Sequence, residues 1–216
     1  MSRNDGMSRI CDSFKEDLLA QPTKRSLIPG PWLAPTPVVM ISTNSANKPN
    51  LKPNIITVTL ACTINSTPPI VGIGVRPDRH SYDAIINSGE FVVNLVNRDL
   101  LSRCDYCGVT SGQIVDKFSD CGLTPISIKP LKYAPAIAES PVNLACRVVG
   151  HTPLPSHDLI LGEVVAIEAA DSLFDDDDNF HLEKADLVAY IFGQYHELGK
   201  ILDFTRYSIR PAQGES

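Results

Sequence analysis

The chain is 216 residues long and 43% hydrophobic, with a net charge of −6 and a pI near 5.3. That length suffices for one domain with a substantial core, and the acidic balance argues against nucleic acid or an anionic membrane surface as a partner. No apolar run is long enough to span a bilayer, and the N-terminal MSRNDGMSRICDSFKED lacks a signal-peptide core, so a cytoplasmic location is expected.

In chain order, residues 1–30 are polar and without periodicity and are read as an N-terminal extension. The Pro-rich PGPWLAPTP from Pro29 to Pro37 then breaks any helix. Residues 31–210 are assigned to a single domain. Within it Val38–Thr43, Ile55–Thr63, Ile70–Val75, Phe91–Leu95, Pro141–Val149 and Leu159–Ala169 are predicted strands, each rich in Val, Ile and Thr and bounded by Pro, Gly or Asn. Short helical patterns fall at Ser81–Ser88, Asp99–Tyr106 and Gln113–Asp120. Many short strands with few helices predict a mainly β fold whose sheet closes or nearly closes on itself, because closure removes exposed edges. No internal repeat is present. The six cysteines, at positions 11, 62, 104, 107, 121 and 146, follow no disulfide framework and are expected to be free thiols.

Several side-chain patterns carry chemistry. In RPDRHSYDAIINSGEFVVN (Arg76–Asn94), Ser81 is read as the N-cap of a helix in which Tyr82, Ile85 and Ile86 recur at i, i+3 and i+4, with Gly89 as its left-handed stop. The free N–H groups of the first turn, with Arg79 and His80 beside them, form an anion site suited to a phosphate; a capped surface helix with a solvated arginine is the plainer alternative. In KPNIITVTLA (Lys52–Ala61), Asn54, Thr57 and Thr59 set amide and hydroxyl groups along a strand, although Thr is also simply a good strand former. Cys104 and Cys107 make a CxxC, but no second pair of soft ligands lies at zinc-like distance, so no metal site and no obligatory disulfide is expected. The run Asp175–Asp178 would put Phe180 where an EF-hand requires Gly and Asp186 where it requires Glu, so a solvated loop tip is expected. His157 opens a strand at the rim of the sheet, either as a catalytic candidate for proton exchange near neutral pH or as an imidazole bonded to Asp158.

Six segments in one order resemble a known family: PTPVVMIST (Pro35–Thr43), KPNIITVTLA, PPIVGIGVRPDRHSYD (Pro68–Asp83), GEFVVNL (Gly89–Leu95), DYCGVTSGQIVDKF (Asp105–Phe118) and SHDLILGEVV (Ser156–Val165). The family is the flavin reductase-like, FMN-binding split β-barrel group, which includes flavoredoxins, and the likeness spans roughly residues 35–200. The resemblance implies an antiparallel, Greek-key-type split barrel that works as a homodimer, with FMN as cofactor and NAD(P)H or another reduced donor as partner. It implies that Asn54, Thr57, Val58, Thr59, Arg79, His80, Ser81, Asn94 and Lys117 lie at the flavin, with the Lys117 ammonium able to help neutralise the phosphate; an ordinary surface lysine is the plainer reading of Lys117. IFGQYHELG (Ile191–Gly199) resembles the family's closing motif, in which Tyr195 lies near the cofactor. Relatives carry Trp-Thr-Gly about where this chain has Leu60, Ala61 and Cys62, so the aromatic surface they offer is missing here. The cofactor would carry the redox chemistry, with no protein acid or base strictly required. Three activities remain open: an NAD(P)H-dependent flavin reductase, a flavoredoxin-like electron carrier to protein partners, and a non-catalytic flavin-binding module. No G-x-G-x-x-G nicotinamide fingerprint is present to decide among them.

Overall fold

A computed structural model of the chain describes residues 23–47, 52–203 and 205. Most of the expected N-terminal extension, residues 1–22 with Cys11, lies outside the described residues. Residues Leu33–Leu198 form one compact unit, and the described residues flanking it belong to a second.

The strands of the compact unit are β1 (Thr36–Pro37), β2 (Val39–Thr43), β3 (Asn54–Val58), β4 (Ala61–Ser66), β5 (Pro69–Val75), β6 (Glu90–Leu95), β7 (Pro125–Ile126), β8 (Ala136–Ile137), β9 (Val142–Thr152), β10 (Asp158–Ala169), β11 (Val188–Ile191) and β12 (Gln194–Glu197). Three short α-helices interrupt them: α1 (His80–Ser88), α2 (Leu101–Val109) and α3 (Lys117–Asp120). Seven strands form one antiparallel sheet in the order β3-β2-β6-β9-β10-β5-β4.

The connectivity forces that sheet to curl. Strands β3 and β4 occupy its opposite edges, yet only Thr59 and Leu60 separate them in the chain. Three Cα steps reach at most about 11 Å, so the two edges must face each other, and the Leu60 carbonyl accepts the Gly74 N–H at 2.8 Å. The expected mainly β antiparallel barrel is therefore what forms, with one boundary corrected. The run Ile55–Thr63, read as a single strand, is cut at Thr59–Leu60 because its two halves pair at opposite ends of the sheet, β3 with β2 and β4 with β5. Two helical readings also shift. Gln113–Asp120 shortens to α3, which Asp116 caps by accepting the Ser119 N–H at 3.2 Å. Helix α1 begins at His80 with Arg79 as its N-cap, so Ser81 lies inside the first turn. Gly89 does end that helix, at φ 67°.

Alternation fills both sides of the sheet. Val39, Ile41, Ile73, Val75, Phe91, Val93 and Ile160 point into the barrel. The Phe91 ring lies flat on Gly162, where a Cβ would come within 2.4 Å of Cζ, so no larger residue fits. On the other side Val38, Met40 and Ile55 pack with Cys104, Cys107 and Phe118 of α2 and α3. That packing lays the segment joining α2 to α3 along β3, which has no second strand beside it.

One outer face of the barrel is apolar and flat. Leu60 and Ile64 are about half exposed, at 47% and 49%, and they lie over Gly74 and Gly72, whose missing side chains would meet them within about 3 Å. Leu159 and Leu161 continue the same surface over Gly72 and Gly150.

Candidate functional site

Between β3, the start of α1 and the α2–α3 segment lies an open cleft of about 250 Å³. Its walls include Asn54, Thr57, Val58, Thr59, Arg79, His80, Ser81, Lys117 and His157, nine residues that sequence reasoning had singled out.

Its cationic end is built around Lys117. The side chain is buried, and Nζ donates to the carbonyls of Ile55 and Cys107, each at 2.7 Å. An ammonium has three N–H donors, so among the described residues one is left over. Among the described residues no carboxylate forms an ion pair with Lys117, and burial holds its pKa below the usual lysine value. An uncompensated buried cation is costly, which makes this end a receptor for an anion. Arg79 and the first turn of α1 stand at the same cleft. In all, Arg76, Arg79 and Lys117 face it against the single carboxylate of Asp78. Asp78 is itself engaged by Arg76 at 2.8 Å, which lowers its pKa. A chain of net charge −6 thus concentrates positive charge at one place.

The second wall is polar and rigid. Asn54 Nδ2 donates to Ser81 Oγ at 2.8 Å, tying β3 to α1 in the buried floor of the cleft. Ser81 is therefore not the helix cap expected from sequence; its hydroxyl serves the β3 contact instead. The Thr57 hydroxyl donates to the carbonyl of Cys104. Because β3 pairs with β2 alone, its other edge presents backbone donors and acceptors to the cleft. Opposite it runs Gly108–Gln113, where Gly112 lies so close to Asn54 that a Cβ would fall 2.2 Å from Oδ1. Sequence reasoning did not single out Gly112 and the neighbouring Thr110, Ser111 and Gln113, although they lie in the DYCGVTSGQIVDKF segment that resembles the family.

Other expected positions lie elsewhere. Asn94 does not reach the cleft, which corrects its assignment to the cofactor: it is fully buried and its amide is consumed by the core, donating to the Met40 carbonyl at 2.8 Å and accepting the Ile137 N–H at 2.9 Å. Tyr195 is also absent from the cleft walls, and its hydroxyl donates to Asp105 at 2.8 Å. His157 does line the cleft, but its Nδ1 partner is Ser156 Oγ at 3.0 Å, not Asp158. Asp158 accepts Tyr82 and meets His151, both at 2.6 Å, pinning α1 to the β9–β10 hairpin. Cys104 and Cys107, adjacent on α2, face different partners: the Cys104 thiol points to Thr57 Oγ1 and the Cys107 thiol to Cys121, each at 3.8 Å. Asp175 accepts from Asn179 and His181 and organises its own loop.

The chain belongs to the family described as the flavin reductase like domain, whose model matches residues 33–199. It is similar to a flavoredoxin of Desulfovibrio vulgaris (Miyazaki F), with a TM-score of 0.78 and 26% identity over 86% of this chain and 98% of that one. A protein of Aquifex aeolicus is 30% identical over 169 residues, covering 76% of this chain and 84% of its own length. The FMN reductase (NADH) RutF of Pseudomonas syringae is 25% identical, over 66% of this chain and 70% of its own.

Proposed function

We propose that this protein is an FMN-dependent oxidoreductase of the flavin reductase type, accepting electrons from NAD(P)H and acting as a homodimer. The observation that carries the reading is Lys117, a buried ammonium that among the described residues leaves one donor unspent and pairs with no carboxylate, at the same cleft as Arg79 and the start of α1. One compact anion site suits the single phosphate of FMN. In this reading Lys117, Arg79 and the first-turn N–H groups hold the phosphate. Asn54 and Ser81 fix the floor, and the free edge of β3 meets the polar edge of the ring. The bound flavin supplies the two-electron chemistry. His157, which lines the cleft and meets the exposed Ser156 hydroxyl through Nδ1, is the imidazole candidate for proton transfer there.

The experiment is an absorption spectrum of the purified protein, followed by anaerobic addition of NADH and then NADPH. A flavin spectrum that bleaches with either donor is expected. A flavin that stays oxidised with both, yet is reduced by dithionite, would select electron exchange with a protein partner, the alternative that the likeness to a flavoredoxin favours.

Arg79→Ala is expected to weaken FMN binding about three- to tenfold, as read by quenching of flavin fluorescence. The effect is modest because the guanidinium is half exposed and Asp78 lies 3.9 Å away, so solvent and a competing carboxylate already screen it. An unchanged Kd would remove the helix start from the phosphate site.

The homodimer follows from two features. A cleft of about 250 Å³ is shallow for a tricyclic ring, and the glycine-backed face around Leu60 and Ile64 leaves apolar surface uncovered. A second copy supplies both the missing wall and the cover. Sedimentation equilibrium at low micromolar concentration should report about twice the chain mass of 23.5 kDa, and Ile64→Asp should shift the protein toward the monomer. A monomer with full FMN affinity would rule out a site built at an interface.

A further inference from the structure

Cys121 belongs to none of the segments that resemble the family, yet its sulfur lies 3.8 Å from that of Cys107, within van der Waals contact. The two thiols come from different elements, Cys107 from the last turn of α2 and Cys121 from the C-cap of α3. Between them in sequence run Gly108–Gln113 and Lys117, one whole wall of the cleft and its buried cation. We propose that Cys107 and Cys121 are a redox-active dithiol that closes to a disulfide on two-electron oxidation by a peroxide and staples the base of the cleft-wall loop.

The roles of the two sulfurs follow from their surroundings. Cys107 is buried, while Cys121 is only partly covered and so is the one a small oxidant reaches. Burial raises both thiol pKa values; at Cys121 the contact with the Cys107 thiol and then the cations of Arg103 and Lys117 oppose that rise, and Lys117 opposes it at Cys107 too. The Cys121 thiolate attacks one peroxide oxygen; the O–O bond breaks, hydroxide leaves and takes up the thiol proton as water, and Cys121 becomes a sulfenic acid. The Cys107 sulfur then attacks the Cys121 sulfur. The S–S bond forms, the S–O bond breaks, and the hydroxyl leaves with the Cys107 proton as a second water. Two thiols give up two electrons, and one peroxide becomes two waters.

Closing 3.8 Å to a bond of about 2.05 Å draws on both attachments of Lys117. The Cys107 carbonyl accepts its Nζ, and the Cys121 N–H donates to its own carbonyl at 3.1 Å. Nζ also donates to the Ile55 carbonyl of β3, so the ammonium is pulled between that bond and the two moving anchors and shifts in the cleft. This consequence rests on the anion-site reading of the cleft, whereas formation of the disulfide does not.

The test uses the full chain, exposed to sub-millimolar hydrogen peroxide, thiol-blocked, digested and mapped by mass spectrometry. The expected product joins the Cys107 and Cys121 peptides, weighs two hydrogens less than the reduced pair and is reversed by dithiothreitol. Cys107→Ser should leave a dimedone-reactive sulfenic acid at Cys121, and Cys121→Ser should leave Cys107 a thiol. Oxidation at Cys121 without a link to Cys107, or a link between Cys104 and Cys107, would overturn the proposal. The oxidised protein should also bind FMN several-fold more weakly than the reduced protein, and recover on reduction. A link formed with unchanged affinity would overturn the coupling to Lys117, and failure of even the reduced protein to bind FMN would count against the flavin reading while the peptide map still decides the dithiol.

Discussion

Lys117→Met is expected to raise the Kd for FMN by about 10- to 100-fold while leaving a folded barrel. A hydrogen bond to a charged partner contributes roughly 1.5–3 kcal/mol, which is that range in Kd. The fold should tolerate the change because two effects oppose each other. Methionine removes a buried ammonium with which no carboxylate among the described residues pairs, a relief of several kcal/mol. The carbonyls of Ile55 and Cys107 lose their donor, at a cost of similar size. The flavin-free melting temperature should therefore move little, whereas the stabilisation conferred by a fixed excess of FMN should shrink by about 1.4–2.7 kcal/mol. Scanning calorimetry with and without FMN separates the two. A large drop without flavin would make Lys117 a structural residue. The sign of the pH dependence follows from the same burial. The pKa is lowered, an anion prefers the ammonium, and affinity is therefore complete below the lowered pKa and lost as pH rises through it. That alkaline loss should begin before an ordinary lysine would titrate, and the component owed to Lys117 should be missing from the Met variant.

The parts of the fold legible in the sequence are those governed by local pattern. The Val- and Ile-rich runs VVMIS and IVGIGV marked strands whose inward residues do fill the barrel, and Gly89 marked a helix end that takes a left-handed φ. What pattern cannot carry is pairing. Ile55–Thr63 is uniformly strand-like, and only the requirement that β3 meet β2 while β4 meets β5 breaks it at Thr59–Leu60. The cleft was legible where one side chain announces its chemistry, as with Arg79; Lys117 was reached through the family resemblance alone. It was illegible where proximity creates the chemistry. Asn94, in one of the segments that resemble the family, is spent bonding β2, β6 and β9 to Ile137 of β8. Ser81 looked like a cap because caps are local, but its partner is 27 residues away. Cys121 carried no signal at all, since its partner Cys107 already had a nearer cysteine in sequence.

Gly112 is the sharpest case of function resting on an absent atom, and Gly112→Ala is expected to injure both stability and binding. The new Cβ would sit 2.2 Å from Asn54 Oδ1, 2.5 Å from Cγ and 2.7 Å from Nδ2, so one side must move. Asn54 is buried at 6% exposure, and swinging it aside breaks its bond to Ser81. Moving the loop instead displaces Gly108–Gln113 from the β3 edge and opens the cleft. Either route costs roughly 1–3 kcal/mol by overpacking or by a lost buried hydrogen bond, and either should weaken FMN binding by tenfold or more. A double-mutant cycle with Asn54→Ala tells the routes apart. If the clash with the amide is the whole cause, removing the amide restores most of the melting temperature in the double variant. Affinity should remain low even so, because the tie between β3 and α1 is gone. If Gly112→Ala alone binds FMN and melts like the parent, the wall opposite β3 is plastic, and the cleft owes its shape to β3, α1 and Lys117 without it.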